Sequence, residues 1–537
     1  MAERAADLVL SNGKVWCGHD DGVATAVAVA DGRVLASGSD AAMAELVGPG
    51  TRVIDLEGRL ATPGLNDSHM HLLPLGLAMA EVDVRPKMAP TLATLLRKIK
   101  DAADARPKGQ WILARGYDHF ALDVRRHPTI QELDAVAPAH PVYLVRACGH
   151  LSVVNSTAAR LARIDAGTRS PPGGLIEVRD GKLTGLLAEH GRDPVKAVLP
   201  DPTDEELVRA IERAGRYCLS MGVTSVMDAA VGMRAGYREI GAYERAKRDS
   251  RLPVRTYQCL LGGADGIVEE AFQAGLVTGK GDELLRVGPV KLFLDGSAGG
   301  KTAAMTSPYL GAPETKGIMC MPDAEVSELV ERYHRRGYQM AIHAIGDAAI
   351  EQILVAYERA LAAHPVADHR HRIEHCGYPT EAQTQRMRRA GIEPAPQPVF
   401  IRDFGDLYVS VLGEARAFAG YPLRQWIELG FKPAAGTDSP VCDVDTLANF
   451  HAMLTRRTKA GTVIGAEERI GIDRAIQAYT EFGAYLERAE TQKGRLVAGQ
   501  LADIAVFSDD LTSLEPDELL EARCDLTIQG GRVVYER

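Results

Sequence analysis

Strand-like apolar runs alternate with amphipathic helical segments over most of the second half of the chain. Helical spacing is clear at 324–336 and 348–363. The predicted strands are the run that ends at 69–71, followed by 222–228, 254–261, 290–295, 339–343, 372–375, 392–397 and 432–438. Eight strands alternating with helices are typical of parallel βα units. We therefore predict an α/β fold with a (β/α)8 TIM-like barrel.

The two ends of the chain have a different pattern. Short apolar runs are separated there by Asn-Gly, Asp-Gly and Gly-Gly pairs, and Asx-Gly between apolar runs is a strong hairpin signal. Neither end is long enough to form a core alone. We predict that 1–59 and 490–537 together form one small β-sandwich domain, and that the barrel takes up 60–79 and 201–489.

Residues 80–200 interrupt the barrel pattern. They combine helical spacing at 91–105 with strand-like runs at 111–115 and 141–146, and a Pro/Gly-rich patch follows at 171–174. We interpret this region as an insertion domain after strand 1 that covers the barrel mouth.

Composition and charge narrow the class of protein. A chain of 537 residues is too long for one simple domain. Its net charge of -10 favours solubility and argues against a general nucleic-acid or anionic-membrane partner. The eight cysteines include no Cys-x-x-Cys pair, and neither a secretory signal nor a long apolar run is evident. We predict a cytoplasmic protein; its oligomeric state stays open, with a homo-oligomer among the alternatives.

Candidate chemistry lies where the predicted strands end. In a strand, His69 and His71 point to the same face, although such a pair alone is a weak sign of metal binding. The other strand-end groups are Lys291 on strand 4, His343 on strand 5, His375 on strand 6 and Asp438 on strand 8. Active sites of such barrels form at these ends, and imidazole and carboxylate are ligands suited to Zn²⁺. The alternative for Asp438 is a helix N-cap in a Gly-Thr-Asp-Ser-Pro turn.

The motifs around these residues resemble those of the amidohydrolase superfamily of metal-dependent hydrolases. More narrowly, they are similar to the amidohydrolase branch that includes the N-substituted formamide deformylases. The matching stretches are 62–71, 291–297, 343–347, 372–375 and 436–440, with weaker matches at 149–156 and 499–506. The resemblance covers nearly the whole chain, but its motifs are far less specific for a substrate than for the superfamily.

The resemblance implies a binuclear metal centre with two divalent ions, expected to be zinc. His69, His71 and Asp438 would bind the first ion, and His343 and His375 the second. Lys291 would be carboxylated by CO₂, and its carbamate would bridge both ions. An unmodified lysine ammonium has only donors and cannot ligate a metal. The alternative is a lysine paired with Asp295 beside a single metal.

The resemblance also implies a mechanism. A metal-bound water has a pKa near 7, so hydroxide is available at neutral pH, and Asp438 would take its proton and pass it to the leaving nitrogen. We predict an amidohydrolase that cleaves a C–N bond of an amide-like small molecule, an N-acyl or N-formyl amine. The alternatives are a hydrolase of esters, lactones or carbamates, a deaminase on the same scaffold, or an inactive regulatory or binding protein.

Five further residues are predicted substrate contacts. They are His150, Trp111, Tyr117, Gln397 and Phe400. A buried structural role is the alternative for His150, and a place in the core is the alternative for the aromatic residues. Many relatives in this branch carry a histidine at the position of Phe400, so this chain is expected to have a more apolar pocket.

Overall fold

The computed structural model describes residues 5–146, 151–171 and 174–537. It consists of two compact units: Met1–Leu75 with Ile211–Arg537, and Gly76–Ala210. The predicted division into a β-sandwich, a barrel and an insertion at 80–200 over the barrel mouth stays a prediction. In the described ranges, no helix has the length and apolar character needed to cross a membrane.

The first 75 residues contribute strands to three sheets. In chain order the elements are β1 (Leu8–Ser11), β2 (Lys14–Gly18), β3 (Gly22–Ala24), β4 (Ala26–Ala30), β5 (Arg33–Gly38), α1 (Asp40–Ala44), β6 (Arg52–Asp55), β7 (Leu60–Pro63), β8 (Leu65–Met70) and α2 (Leu72–Ala78), which crosses into the second unit.

The second unit is built around one mixed sheet with the strand order β13-β14-β12-β11-β10-β9. Its elements are β9 (Val82–Asp83), α3 (Leu92–Asp104), β10 (Ile112–Tyr117), α4 (Ile130–Val136), β11 (Val142–Arg146), β12 (Leu151–Val154), α5 (Ser156–Leu161), β13 (Gly174–Arg179), β14 (Lys182–Glu189), a 3₁₀ turn (His190–Arg192), α6 (Asp193–Lys196) and α7 (Asp204–Ser220), which leads back to the first unit.

The remaining residues alternate strands with helices, as the sequence predicts. The elements are β15 (Val223–Val231), α8 (Arg238–Arg248), β16 (Arg255–Leu261), α9 (Val268–Gln273), β17 (Leu285–Phe293), α10 (Asp323–Arg335), β18 (Met340–Ala344), α11 (Asp347–Ala363), β19 (Arg372–His375), α12 (Glu381–Ala390), β20 (Glu393–Ala395), α13 (Val399–Leu412), α14 (Glu414–Phe418), α15 (Leu423–Glu428), α16 (Thr446–Thr455), a 3₁₀ turn (Ala466–Glu468), α17 (Ile472–Ala478), α18 (Glu481–Leu486), β21 (Ile504–Phe507), a 3₁₀ turn (Pro516–Leu520), β22 (Cys524–Gln529) and β23 (Arg532–Glu536).

The central sheet of the described chain has the order β20-β19-β18-β17-β16-β15-β8, with all neighbouring strands parallel. Every residue of β8, β15, β19 and β20 is buried. Parallel sheets are covered on both faces, which accounts for this burial. This arrangement is a nearly closed parallel barrel and confirms the predicted TIM-like fold at that level.

The eighth predicted strand, 432–438, is not a regular strand. The segment still closes the barrel: Ser68 donates to the main-chain oxygen of Ala435 at 3.1 Å, and Gly436 donates to that of Pro396 at 3.1 Å. Pro433 has no N–H to contribute to a ladder, and Asp438 has a left-handed φ of 55°. These two residues explain why the segment closes the barrel without forming a regular ladder.

Strands from the two ends of the chain share one sheet, with the order β23-β22-β21-β7-β2-β3, while β5-β4-β1-β6 form another. Buried residues of both sheets meet in one hydrophobic cluster, which includes Leu10, Val27, Val15, Ile504 and Ile528. The two ends of the chain therefore have a common core.

Candidate metal centre

The six strand-end groups predicted from the sequence come together in the first unit. Nε2 of His71 lies 3.0 Å and Nε2 of His69 lies 3.4 Å from Oδ1 of Asp438. Nζ of Lys291 lies 3.3 Å from Nε2 of His69. The ring centroid of His375 is 4.8 Å from that of His69. The ring of His343 completes the set, with its centroid 4.4 Å from that of His375.

The local backbone turns four of these groups toward one another. His69 lies near the end of β8, and His71 follows directly before α2. His375 is the last residue of β19, with a φ of 66°, and Asp438 has a φ of 55°. Left-handed backbone is uncommon for residues with a side chain, and residues held in it cluster at functional sites. The strand ends therefore bend at the point where the side chains converge.

Asp438 does not cap a helix, so the N-cap alternative is wrong. The next helix, α16, begins at Thr446, and Asp445 caps it by accepting a hydrogen bond from the N–H of Ala448. Burial opposes ionisation of Asp438, but its contacts with His69 and His71 outweigh burial and hold its pKa well below the usual range.

Lys291 is fully buried, and burial lowers its pKa. Its predicted alternative partner, Asp295, instead accepts main-chain hydrogen bonds: Oδ2 from Ala304 at 2.9 Å and from Gly346 at 2.8 Å, and Oδ1 from Ile345 at 3.0 Å. Asp295 thus stabilises the loops that follow β17 and β18. Lys291 instead lies beside the imidazole of His69.

Each of three imidazoles has an acceptor at one of its two nitrogens. The acceptors are Glu374 Oε2 for Nδ1 of His69, Gln397 Oε1 for Nδ1 of His375 at 2.5 Å, and the main-chain oxygen of Gly296 for Nε2 of His343 at 3.1 Å. A neutral imidazole that donates through one nitrogen keeps a lone pair on the other. Burial, followed by the charges of His343 and His69, holds the pKa of His375 well below its ordinary value, which favours this neutral form.

The donor set fits a divalent cation. Oδ1 of Asp438 is buried and makes no well-aligned hydrogen bond with any described residue. Ligand atoms of His69, His375 and Asp438 lie within 4.8 Å of one another. Imidazole nitrogen and carboxylate oxygen are ligands of Zn²⁺ and similar ions, so a cation would coordinate the buried Oδ1 of Asp438, which has no well-aligned hydrogen bond.

The predicted substrate contacts have different surroundings. Phe400 stacks parallel to His375, with ring centroids 6.0 Å apart and an interplanar angle of 12°. Gln397 is fully buried and contacts the same imidazole. Trp111 and Tyr117 belong to the 76–210 unit, where Trp111 packs in a hydrophobic cluster and the Tyr117 hydroxyl lies 2.9 Å from Nδ1 of His127. His150 lies outside the described residues.

Three charged residues next to the centre were not predicted from the sequence. Glu374 and Arg372 pair within β19, and Asp67 accepts hydrogen bonds from the main-chain N–H groups of His69 and Thr437. The available signal was the placement of charged residues in strands that must be buried on both faces, where they require partners.

Comparison with known proteins agrees with this geometry. The model of the Amidohydrolase family matches residues 52–535. The N-substituted formamide deformylase of Arthrobacter pascens is 30% identical over 96% of this chain and 95% of its own length. Protein LONG AFTER FAR-RED 3 of Arabidopsis thaliana is 30% identical over 99% of this chain and 92% of its own. The crystal structure of an uncharacterized metal-dependent hydrolase from Pyrococcus furiosus superposes with a TM-score of 0.77 at 28% identity, covering 95% of this chain and 99% of that one.

The barrel and the cluster of imidazoles, lysine and carboxylate at its strand ends define a hydrolase of the metal-dependent class. The chain belongs to the amidohydrolase family.

Proposed function

We propose that the chain is a zinc-dependent hydrolase that cleaves the C–N bond of an amide-like small molecule, an N-acyl or N-formyl amine. The observation that carries the proposal is the position of Asp438, whose buried Oδ1 lies 3.0 Å and 3.4 Å from Nε2 of His71 and His69. The choice of a C–N bond is supported by the 30% identity to an N-substituted formamide deformylase.

The residues divide between two ion positions. His69, His71 and Asp438 would form the inner position, and His343 and His375 the outer position. A bound divalent cation supplies Lewis acidity, which polarises a carbonyl and lowers the pKa of water to roughly 7.

Lys291 would hold the two positions together as a carbamate. Its Nζ lone pair would attack the carbon of CO₂ to form an N–C bond, and one proton on nitrogen would pass to solvent. The product offers two anionic oxygens in place of an ammonium, which has donors only. The support is the placement of this amine, fully buried and 3.3 Å from a ligand imidazole.

Asp438 would move the proton. Its carboxylate accepts a proton from the attacking water and later delivers it to the leaving nitrogen, acting first as a general base and then as a general acid. The neighbouring His69 and His71 keep this carboxylate ionised at neutral pH, since they hold its pKa well below the usual range. Phe400, stacked on His375, would give the adjoining part of the pocket an apolar wall.

The proposal is tested by metal analysis joined to a substrate screen. Zinc-loaded protein is expected to hold about two equivalents per chain and to hydrolyse members of a panel of N-formyl and N-acyl amines. Carbamates and lactones in the same panel would show whether the reaction instead requires another leaving group. Asp438→Asn should lower kcat by about 10²- to 10⁴-fold, and His69→Ala should lose both metal and activity.

The proposed function fails if purified and reconstituted protein binds no divalent metal. The proton-transfer role of Asp438 fails separately if Asp438→Asn keeps its bound metal and its full kcat on an active substrate. Asp20→Asn, a substitution at an exposed aspartate, serves as the matched control and should change neither.

A further inference from the structure

Two imidazoles at the centre differ in the group that accepts their second hydrogen bond. Nδ1 of His69 meets a carboxylate oxygen, Oε2 of Glu374, whereas Nδ1 of His375 meets the amide oxygen of Gln397 at 2.5 Å. A carboxylate acceptor fixes the tautomer of a metal-binding histidine and raises its basicity, and a charged acceptor does so more strongly than a neutral one. His69 is therefore the stronger electron-pair donor of the two.

The carboxylate beside His69 is held in a fixed orientation. Nε of Arg372 lies 2.5 Å from Oε1 of Glu374, and Nη2 lies 3.0 Å from Oε2. Nη2 also donates to the main-chain oxygen of Ser68 at 2.7 Å, directly before His69 in β8. Arg372, Glu374 and His69 are all fully buried. One guanidinium thus fixes both the carboxylate and the strand that carries the ligand.

The tautomer that this arrangement selects is the one a metal site requires. With the Nδ1 proton of His69 donated to Glu374, the lone pair remains on Nε2. That nitrogen is the one 3.4 Å from Oδ1 of Asp438 and 3.3 Å from Nζ of Lys291. The buried ion pair therefore directs the donor atom of His69 toward the other ligands.

At the outer position, the group that accepts a hydrogen bond from His343 is weaker than the carboxylate beside His69. Nε2 of His343 donates to the main-chain oxygen of Gly296 at 3.1 Å. Oδ1 of Asp295 is 3.2 Å from the same nitrogen, but the Asp295 carboxylate is shared among three main-chain N–H donors. Among the described residues, Glu374 is thus the one carboxylate that meets two conditions. It accepts a hydrogen bond from a proposed ligand imidazole, and a charged residue, Arg372, holds it in place.

We propose that Glu374, oriented by Arg372, is a positioning residue that gives the inner position a higher metal affinity than the outer position. Ions then load in sequence, the inner position before the outer. The inference rests on the proposed function, because it requires metal ions to bind at this centre.

The test is a zinc titration of the metal-free full-length protein in competition with a chromophoric chelator, with bound metal counted by mass spectrometry. The wild type is expected to bind in two separated steps. Glu374→Gln keeps the size of the side chain and an acceptor oxygen but removes the charge. It should weaken the first step by about 10- to 100-fold while the second step stays unchanged.

Gln397→Glu is the matched reverse variant. It places a carboxylate beside Nδ1 of His375 and should tighten the second step, which brings the two steps closer together. Circular dichroism shows whether Glu374→Gln folds. If it does not, Gln397→Glu and the wild-type titration still test whether the inner position binds zinc before the outer position.

The outcomes separate the inference from the proposed function. A wild type that binds two ions with equal affinity, or a folded Glu374→Gln with an unchanged first step, overturns the sequential loading and leaves the hydrolase proposal intact. A wild type that binds no zinc overturns both.

Discussion

Asp67 and Thr437 are joined by a buried hydrogen bond of 2.5 Å, in which the threonine hydroxyl donates to Oδ2. Oδ1 of the same carboxylate accepts the main-chain N–H of Thr437 at 3.0 Å and that of His69 at 3.3 Å. Asp67 lies in β8 and Thr437 in the segment that closes the barrel. A carboxylate outside the proposed ligand set therefore ties together the two segments that carry His69 and Asp438.

Removal of the Thr437 hydroxyl should destabilise this connection. Thr437→Val keeps the shape of the side chain but leaves Oδ2 of Asp67 buried without its donor, so the free energy of unfolding should fall by about 1–3 kcal/mol. Thr437→Ser keeps the hydroxyl and should lose less. Urea denaturation compares the three proteins, and equal stability of the valine variant and the wild type would refute the role of this bond.

The approach of the closing segment to β8 predicts a strict requirement at Gly436. An added Cβ would lie 2.6 Å from the main-chain nitrogen and 2.8 Å from the main-chain oxygen of His69. Neither atom can move without displacing β8, the strand that carries His69. Gly436→Ala should therefore lower the melting temperature and weaken zinc binding by about 10-fold or more, the loss typical when support for a ligand is disturbed.

Gly241→Ala is the control for that substitution. Gly241 lies within α8, and an added Cβ there meets nothing within 4 Å. Alanine in a helix interior is favoured over glycine by roughly 0.5–1 kcal/mol, so this variant should be neutral or slightly more stable. Differential scanning calorimetry with and without zinc measures both variants; an unaltered zinc affinity in Gly436→Ala would contradict the steric argument.

The barrel could be predicted from the sequence because the pattern that indicates each strand or helix lies within that element. Helices such as α10 and α11 begin and end within one or two residues of the predicted 324–336 and 348–363. The irregular eighth segment was missed, since an apolar run does not reveal that Pro433 and a left-handed Asp438 interrupt the ladder.

The convergence of the proposed ligand residues could also be predicted, because histidines at strand ends form a sequence pattern. The partners of those histidines could not. Whether Glu374 faces His69 depends on contacts between β8 and β19, which lie about 300 residues apart in sequence, and on the alternation of faces in a buried strand. Likewise, the sequence does not reveal that Oε1 of Gln397, a predicted substrate contact, lies 2.5 Å from Nδ1 of His375.

A buried pair of histidines away from the centre predicts a dependence of stability on pH. Nε2 of His334 lies 2.6 Å from the main-chain oxygen of His364, so its Nδ1 is free to accept from Nε2 of His371 at 2.9 Å. The main-chain N–H of Met340 donates to Nδ1 of His371 at 3.2 Å. Both nitrogens of His371 are thus used by its neutral form, and an added proton would break one of these bonds.

Burial, followed by the charges of His369, His334 and Arg488, holds the pKa of His371 well below its ordinary value near 6.5. The folded protein keeps the ring neutral, whereas the unfolded chain binds a proton below about pH 6.5. The contribution of His371 is therefore complete above that pH and declines as the pH falls toward the folded pKa. The loss approaches about 1.4 kcal/mol per pH unit for one proton.

His371→Gln keeps one donor and one acceptor but cannot titrate, so its stability should fall less steeply between pH 6.5 and 5. Melting temperatures measured across this range give the slopes. His190→Gln, at an exposed histidine, should keep the wild-type slope. Equal slopes for the wild type and His371→Gln would show that a group other than His371 causes the loss of stability at acid pH.

Removal of metal should destabilise the folded protein through Asp438. The buried Oδ1 of this residue makes no well-aligned hydrogen bond with any described residue, and a cation would compensate that carboxylate. A ligand that binds only the folded state at 100 times its Kd adds about 2.7 kcal/mol of stability. Chelator treatment should therefore lower the melting temperature of the wild type, and zinc should restore it.

In Asp438→Asn the rise in melting temperature on adding zinc should be much smaller, because an amide oxygen without a full charge is a poorer ligand. Asp20→Asn should respond like the wild type. If zinc raised the melting temperatures of all three proteins equally, the stabilising ion would be bound somewhere other than at Asp438.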